Sequence, residues 1–269
     1  MSRLFTFGCS FTQYMWPTWA TIVGYDLQKE LFNFGLAGIG NVGIYHRIIE
    51  ADIKYKFTPE DKIMILWTSF SREDRFSNGH WETCGSVFND GSKYNYRRWI
   101  KDHWSMQNDL VKNMTAIISV NKMYKDNIMW QGHSFAPHVN EANNIYDDSK
   151  EYNAIKNFYE SQLDEIPWEI FETVKPFKKF QDSHPDPLGH LDKVQNWIYP
   201  ALDLQLKDST IAEFHKLQRS VQEYIDRDNN FNDYDKLYRR LQELFQSPRF
   251  QPLSEYHKVR HPLEDLELA

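Results

Sequence analysis

Four short apolar runs dictate most of what this chain can fold into. Leu4 to Phe7, Leu31 to Gly35, Ile63 to Trp67 and Ile128 to Gln131 are apolar without strict alternation. A short, mostly apolar run of this kind suits a buried strand. Between the runs, Trp19 to Leu31, Val42 to Tyr55 and Asp109 to Tyr124 place apolar residues at helical spacing. Gly8 closes the first strand, and Thr58-Pro59-Glu60-Asp61 forms the turn before the third. Strand–helix alternation of this kind predicts an α/β fold with a parallel sheet covered by helices.

The chain has 269 residues, enough for one α/β domain with additions. After about Asp186 the pattern turns helical. Ile211, Phe214, Leu217, Val221 and Tyr224 share one stripe, and Leu237, Tyr238, Leu241, Leu244 and Phe245 share another. These read as two amphipathic helices appended to the α/β core, as a cap or a contact between copies. From Pro248 the sequence bears prolines and mixed charge, the composition of an extended or disordered arm. The expected division is an α/β domain over 1–207, a helical extension over 208–247 and a tail over 248–269.

Charge narrows the partners. A net charge of −7 argues against nucleic acid, whose affinity rests on clustered lysine and arginine. Two cysteines, Cys9 and Cys84, imply no disulfide framework. The amino-terminal segment has no signal-peptide h-region, and no apolar stretch approaches a membrane span, so a cytoplasmic location is expected and no membrane partner. His133 and His138, and His184 and His190, lie at spacings that match no familiar zinc motif, so neither a metal nor another cofactor is expected.

Three segments carry chemistry. Gly8-Cys9-Ser10-Phe11-Thr12 sets a serine at the carboxyl end of the first strand, where open α/β sheets bind ligands. Asn33-Phe34-Gly35-Leu36-Ala37-Gly38-Ile39-Gly40-Asn41 follows the second strand and brings flexible backbone to the same edge, without the glycine order of a dinucleotide site. Asp182-Ser183-His184-Pro185 holds a histidine in a rigid turn ahead of a helix, with Asp182 in position to orient the ring. Each segment alone also fits an ordinary turn.

Taken in order, the three resemble the blocks of the SGNH/GDSL hydrolases. Gly8 to Thr12 is similar to their G-D-S-x-T block, Asn33 to Gly38 to the block whose glycine lends an oxyanion N–H, and Asp182 to Pro185 to D-x-x-H-P. Members that begin G-C-S-F-T occur in phage and environmental bacterial genomes. The resemblance spans roughly residues 3 to 200. It implies a three-layer α/β/α flavodoxin-like fold and hydrolysis of acyl esters, often acetyl groups on carbohydrates. Ser10 is then nucleophile, His184 base and Asp182 its orienting acid, with the Ser10 and Gly38 N–H groups in the oxyanion hole. The location it implies is the cytoplasm, or a virion or host cytoplasm for a phage-encoded chain.

The chain departs from the pattern at three places. Cys9 replaces the family aspartate, Asp182 precedes His184 by two residues instead of three, and Ser69 stands where G-x-N-D has its asparagine. The hole then uses Ser69 or borrows Asn41. Arg72, Trp67 and Trp81 are candidates to bind substrate, with the charges from Ser71 to Arg75 open to an ion-pair reading and the aromatic loop from Phe76 to Trp104 open to a lid reading. Ser134, in Gly132-His133-Ser134-Phe135-Ala136, is a competing nucleophile in a G-x-S-x-A pattern. The substitution at Ser69 supports a second function, an SGNH-fold carbohydrate-binding or virion-associated protein without efficient catalysis.

Overall fold

The computed structural model describes residues 3–77, 80–88, 97–134, 150–162 and 184–227, with 239–241, 243–244, 247, 250, 253 and 255–256. Four strands, β1 (Arg3–Gly8), β2 (Glu30–Asn33), β3 (Lys62–Trp67) and β6 (Ile128–His133), form one parallel sheet in the order β2-β1-β3-β6. Leu4, Phe5 and Phe7 of β1 and Ile63 to Trp67 of β3 are fully buried. Both faces of the central strands are therefore covered, which is why their runs are apolar rather than alternating.

The connections explain the layers. β1 joins β2 through α1 (Trp19–Leu27), and the chain then crosses back through α2 (Asn41–Tyr55) to β3 on the other side of β1. Right-handed crossovers in opposite directions put α1 and α2 on opposite faces of the sheet. The contacts follow that division. α2 packs with α4 (Met106–Tyr124), and α4 with α5 (Lys150–Glu160). On the other side α1 packs with α6 (Pro187–Lys193) and α7 (Asp208–Arg227).

The stripe of α7 faces the interior. Phe214, Leu217, Val221 and Ile225 are fully buried, and Asp26 of α1 ties the helix down. The Asp26 carboxylate accepts from Tyr199 Oη at 2.8 Å, Thr210 Oγ1 at 2.6 Å and the Lys207 N–H at 3.1 Å. Phe250 and Leu253 are also buried against this core. Of the second expected helical stripe, Leu241 and Leu244 lie among the described residues and Leu241 is buried, whereas Leu237, Tyr238 and Phe245 lie outside them. No described helix is long and apolar enough to cross a membrane.

The segment after β3, expected only as a polar and aromatic loop, contains an antiparallel hairpin of β4 (Arg72–Ser77) and β5 (His80–Ser86), followed by α3 (Arg97–His103). The hairpin is docked over the turn that follows β2. Arg72 Nη1 donates to Ile39 O at 3.2 Å, Thr83 Oγ1 to Ala37 O at 2.6 Å and the Gly85 N–H to Gly38 O at 3.0 Å.

Candidate active site at the carboxyl edge of the sheet

The loop leaving β1 is fixed by its own backbone before any side chain acts. Thr12 N–H and Gln13 N–H both donate to Cys9 O, at 2.8 and 3.2 Å, folding Ser10 and Phe11 into a tight turn. Gly8 is required there, because a Cβ on it would lie 2.1 Å from Thr12 Oγ1 and 2.8 Å from Leu66 O. Thr18 Oγ1 donates to Thr12 O at 2.6 Å and closes the loop ahead of α1.

The second block is stitched to the first. Asn33 Nδ2 donates to Thr12 O at 2.9 Å and to Gln13 Oε1 at 2.8 Å, while Asn33 Oδ1 accepts from the Gly35 N–H at 3.0 Å. A Cβ on Gly35 would come within 2.7 Å of the Gln13 backbone nitrogen, so the two loops touch only because this residue is glycine. Gly38 adopts φ +76°, a left-handed turn, and its carbonyl is taken by the hairpin.

The histidine loop arrives from the far end of the chain. His184 is half-buried, its ring stacked on Tyr14 with centroids 4.0 Å apart and planes 16° apart. Phe11, the neighbour of Ser10, meets the same imidazole edge-on at 5.4 Å. Trp16 Nε1 donates to Pro185 O at 2.9 Å, pinning the backbone one residue beyond His184. Asp186 caps α6 by accepting from the Gly189 N–H at 2.7 Å, and its other oxygen accepts from Gln218 Nε2 at 2.7 Å. His190, within the same short helix, is fully buried. Burial, with His184 nearby, pushes its imidazole down to about 3, so it stays neutral.

The structure thus brings the Ser10 loop, the Gly38 turn and His184 to one edge, with Ser10 almost buried. No hydrogen bond among the described residues joins Ser10 Oγ to His184. Asp182 lies outside the described residues.

The other expected site residues are differently employed. Asn41 Nδ2 donates to Thr68 O and to Asn113 Oδ1, both at 2.9 Å, and Asn41 Oδ1 accepts from the Thr68 N–H at 2.8 Å. Its amide group is therefore spent on holding α2 to the residue after β3 and to α4. Ser69 Oγ pairs with Ser71 Oγ at 2.9 Å, which pairs with Ser86 Oγ at 2.9 Å, a hydroxyl chain from β3 to the hairpin. Trp67, expected to touch substrate, is fully buried with Nε1 donating to Gln131 Oε1, because it ends a strand covered on both faces. Trp81 lies against His46 at 5.2 Å and Phe76 at 5.4 Å, and its Nε1 donates to Glu50 Oε1. Arg72 is half-buried and braces Ile39. Ser134 is fully buried and donates to Trp67 O at 3.0 Å, which removes it as an accessible nucleophile.

Two carboxylates near the hairpin are shifted. Asp74 accepts from the Gly40 N–H at 2.8 Å and the Gly43 N–H at 2.9 Å at the start of α2, yet burial outweighs these bonds and pushes it up to about 6. Burial likewise pushes Asp109 up to about 6, against the opposing pull of Lys112 and the Trp104 Nε1 bond. Tyr14, Trp16 and Asp74 were not signalled by any spacing in the sequence. Their partners lie tens to more than a hundred residues away. Among the described residues no group of three or more metal-binding side chains comes together.

No protein-family model and no curated protein matches the chain. Among solved structures it is similar to a GDSL-like lipase from Bacteroides thetaiotaomicron, 14% identical with TM-score 0.37, covering 75% of this chain and 88% of that one. It is also similar to an acetyl xylan esterase from the rumen bacterium Butyrivibrio proteoclasticus, 12% identical with TM-score 0.40, over 75% of this chain and 63% of the other. A member of the lipolytic G-D-S-L family from Veillonella parvula is 13% identical with TM-score 0.36, over 71% and 93%. Identities and scores this low leave the activity to be argued from the chain's own residues.

Proposed function

We propose that this protein is a serine esterase of the SGNH type, acting on acyl esters, acetyl among them, of a carbohydrate or small molecule. The observation that carries the reading is the convergence of His184 on the Ser10 loop, through Tyr14, Phe11 and the Trp16–Pro185 bond. Ser10 Oγ attacks the ester carbonyl and its proton passes to the His184 imidazole. The tetrahedral oxyanion forms beside the backbone N–H groups of Ser10 and Gly38. Collapse expels the alcohol, which takes the proton from His184, and water then releases the acid by the same two steps in reverse. The commitment of the Asn41 amide and the Ser69 hydroxyl to other partners leaves the hole to backbone donors. That same commitment favours the second reading, a carbohydrate-binding protein of this fold with weak or no turnover. Oligomerisation through the carboxyl-terminal helices and a cytoplasmic or virion location belong to the proposal as well.

Steady-state hydrolysis of a small acetyl ester by wild type and His184→Ala separates the two. The esterase reading expects His184→Ala to lose on the order of 10³-fold or more in kcat/KM. Equal rates in the two proteins contradict it and favour the binding module.

A further inference from the structure

We propose that Tyr14 is the positioning residue of His184, its ring fixing the plane in which the imidazole faces the Ser10 loop. The inference rests on the esterase reading and assigns the orienting task to a residue outside the three sequence blocks.

The geometry is a closed circuit. Tyr14 is almost buried and is held edge-on by Trp16, with centroids 4.7 Å apart and planes 73° apart. Trp16 is fully buried and holds the backbone at Pro185, while Tyr14 holds the ring of the preceding residue. One residue of the loop thus fixes where His184 starts, and another fixes how its ring lies. Phe11 adds an edge contact at 83° to the imidazole plane, which opposes rotation off the Tyr14 face. Stacked and edge-on aromatic pairs favour a held orientation by roughly 2- to 12-fold each over area burial alone. Asp186, two residues beyond His184, is committed to capping α6 and to Gln218. Tyr14 and Trp16 follow Ser10 within six residues, so the segment that presents the nucleophile also aims the base.

The test compares Tyr14→Phe, which keeps the ring, with Tyr14→Leu, which keeps bulk and loses the plane. Tyr14→Leu is expected to lower kcat about 30-fold, with KM within about twofold, because a misaimed base costs the transition state and not ground-state binding. Tyr14→Phe is expected to stay within about threefold of wild type. In parallel, the His184 Cε1 proton resonance reports the stack directly. The Tyr14 ring current displaces it upfield in wild type and Tyr14→Phe, and the displacement vanishes in Tyr14→Leu. A folded Tyr14→Leu within about threefold of wild-type kcat overturns the proposal. A wild-type His184 resonance at the position of a free imidazole overturns it whether or not the leucine variant folds, as does a Tyr14→Phe that loses more than about tenfold. A wild type that turns over no ester overturns the esterase reading and the catalytic use of the stack together. The displaced resonance distinguishes that case from a missing stack.

Discussion

The two flanks of the β1 terminus are built from different materials. On the serine flank, side-chain bonds to the main chain and aromatic rings do the holding. Asn33 and Thr18 tie the main chain, Tyr14 and Phe11 hold His184, and the Ser10 hydroxyl makes no hydrogen bond among the described residues. On the hairpin flank, side-chain polar atoms do the holding. Asn41 binds Thr68 and Asn113, the Ser69–Ser71–Ser86 hydroxyls run in a chain, and Asp74 binds two amides of α2. Reactive atoms need to be left out of the structural bonding, and among the described residues the Ser10 hydroxyl is left out. The second flank has turned into a brace for the hairpin.

If the brace is structural, removing its centre is felt as stability. Asn41→Ala leaves the buried Thr68 N–H and carbonyl without the amide that satisfied them, at a cost of about 2–3 kcal/mol. Urea denaturation checks this, and a variant as stable as wild type would return the Asn41 amide to candidacy as an oxyanion donor.

A finer probe is Asp74. Its carboxyl titrates near 6 in the fold, above the ordinary 3.8, so the folded state holds the proton more tightly than the unfolded chain. The stability this contributes is full below pH about 3.8 and is lost as pH rises through about 6. Asp74→Asn stays neutral and keeps an acceptor oxygen for the Gly40 amide. Its stability relative to wild type should therefore rise by about 2 kcal/mol between pH 4.5 and pH 7.5. Asp109 is shifted in the same direction in both proteins and drops out of the difference. Melting both proteins at the two pH values decides it, and a difference that does not change with pH contradicts the burial of this carboxylate.

How much of this was legible follows the same division. β1, β2, β3 and β6 could be read because strands of a sheet covered by helices are short and mostly apolar, most completely in the central β3. The Ser10, Gly38 and His184 blocks carry the local marks of turn chemistry, glycine above all, and their loops meet at the carboxyl edge of the sheet. The β4–β5 hairpin could not, since Arg72-Glu73-Asp74-Arg75 carries charge at every position and its pairing is to a partner of equal polarity. Trp67, expected as a substrate contact, is fully buried, in keeping with its place at the end of an unbroken apolar run. Tyr14 was invisible for a different reason. Its meaning lies in a stack with a residue 170 positions away, and no periodicity encodes that.

The central claim, that Ser10 is a nucleophile activated beside His184, is tested most directly by covalent labelling. A fluorophosphonate reacts with wild type, Ser10→Ala and Ser134→Ala side by side, and the modified peptide is mapped by mass spectrometry. The account predicts a single adduct on Ser10 in wild type and in Ser134→Ala, and none in Ser10→Ala. Labelling that persists in Ser10→Ala, or a wild type that takes up no probe, would contradict it.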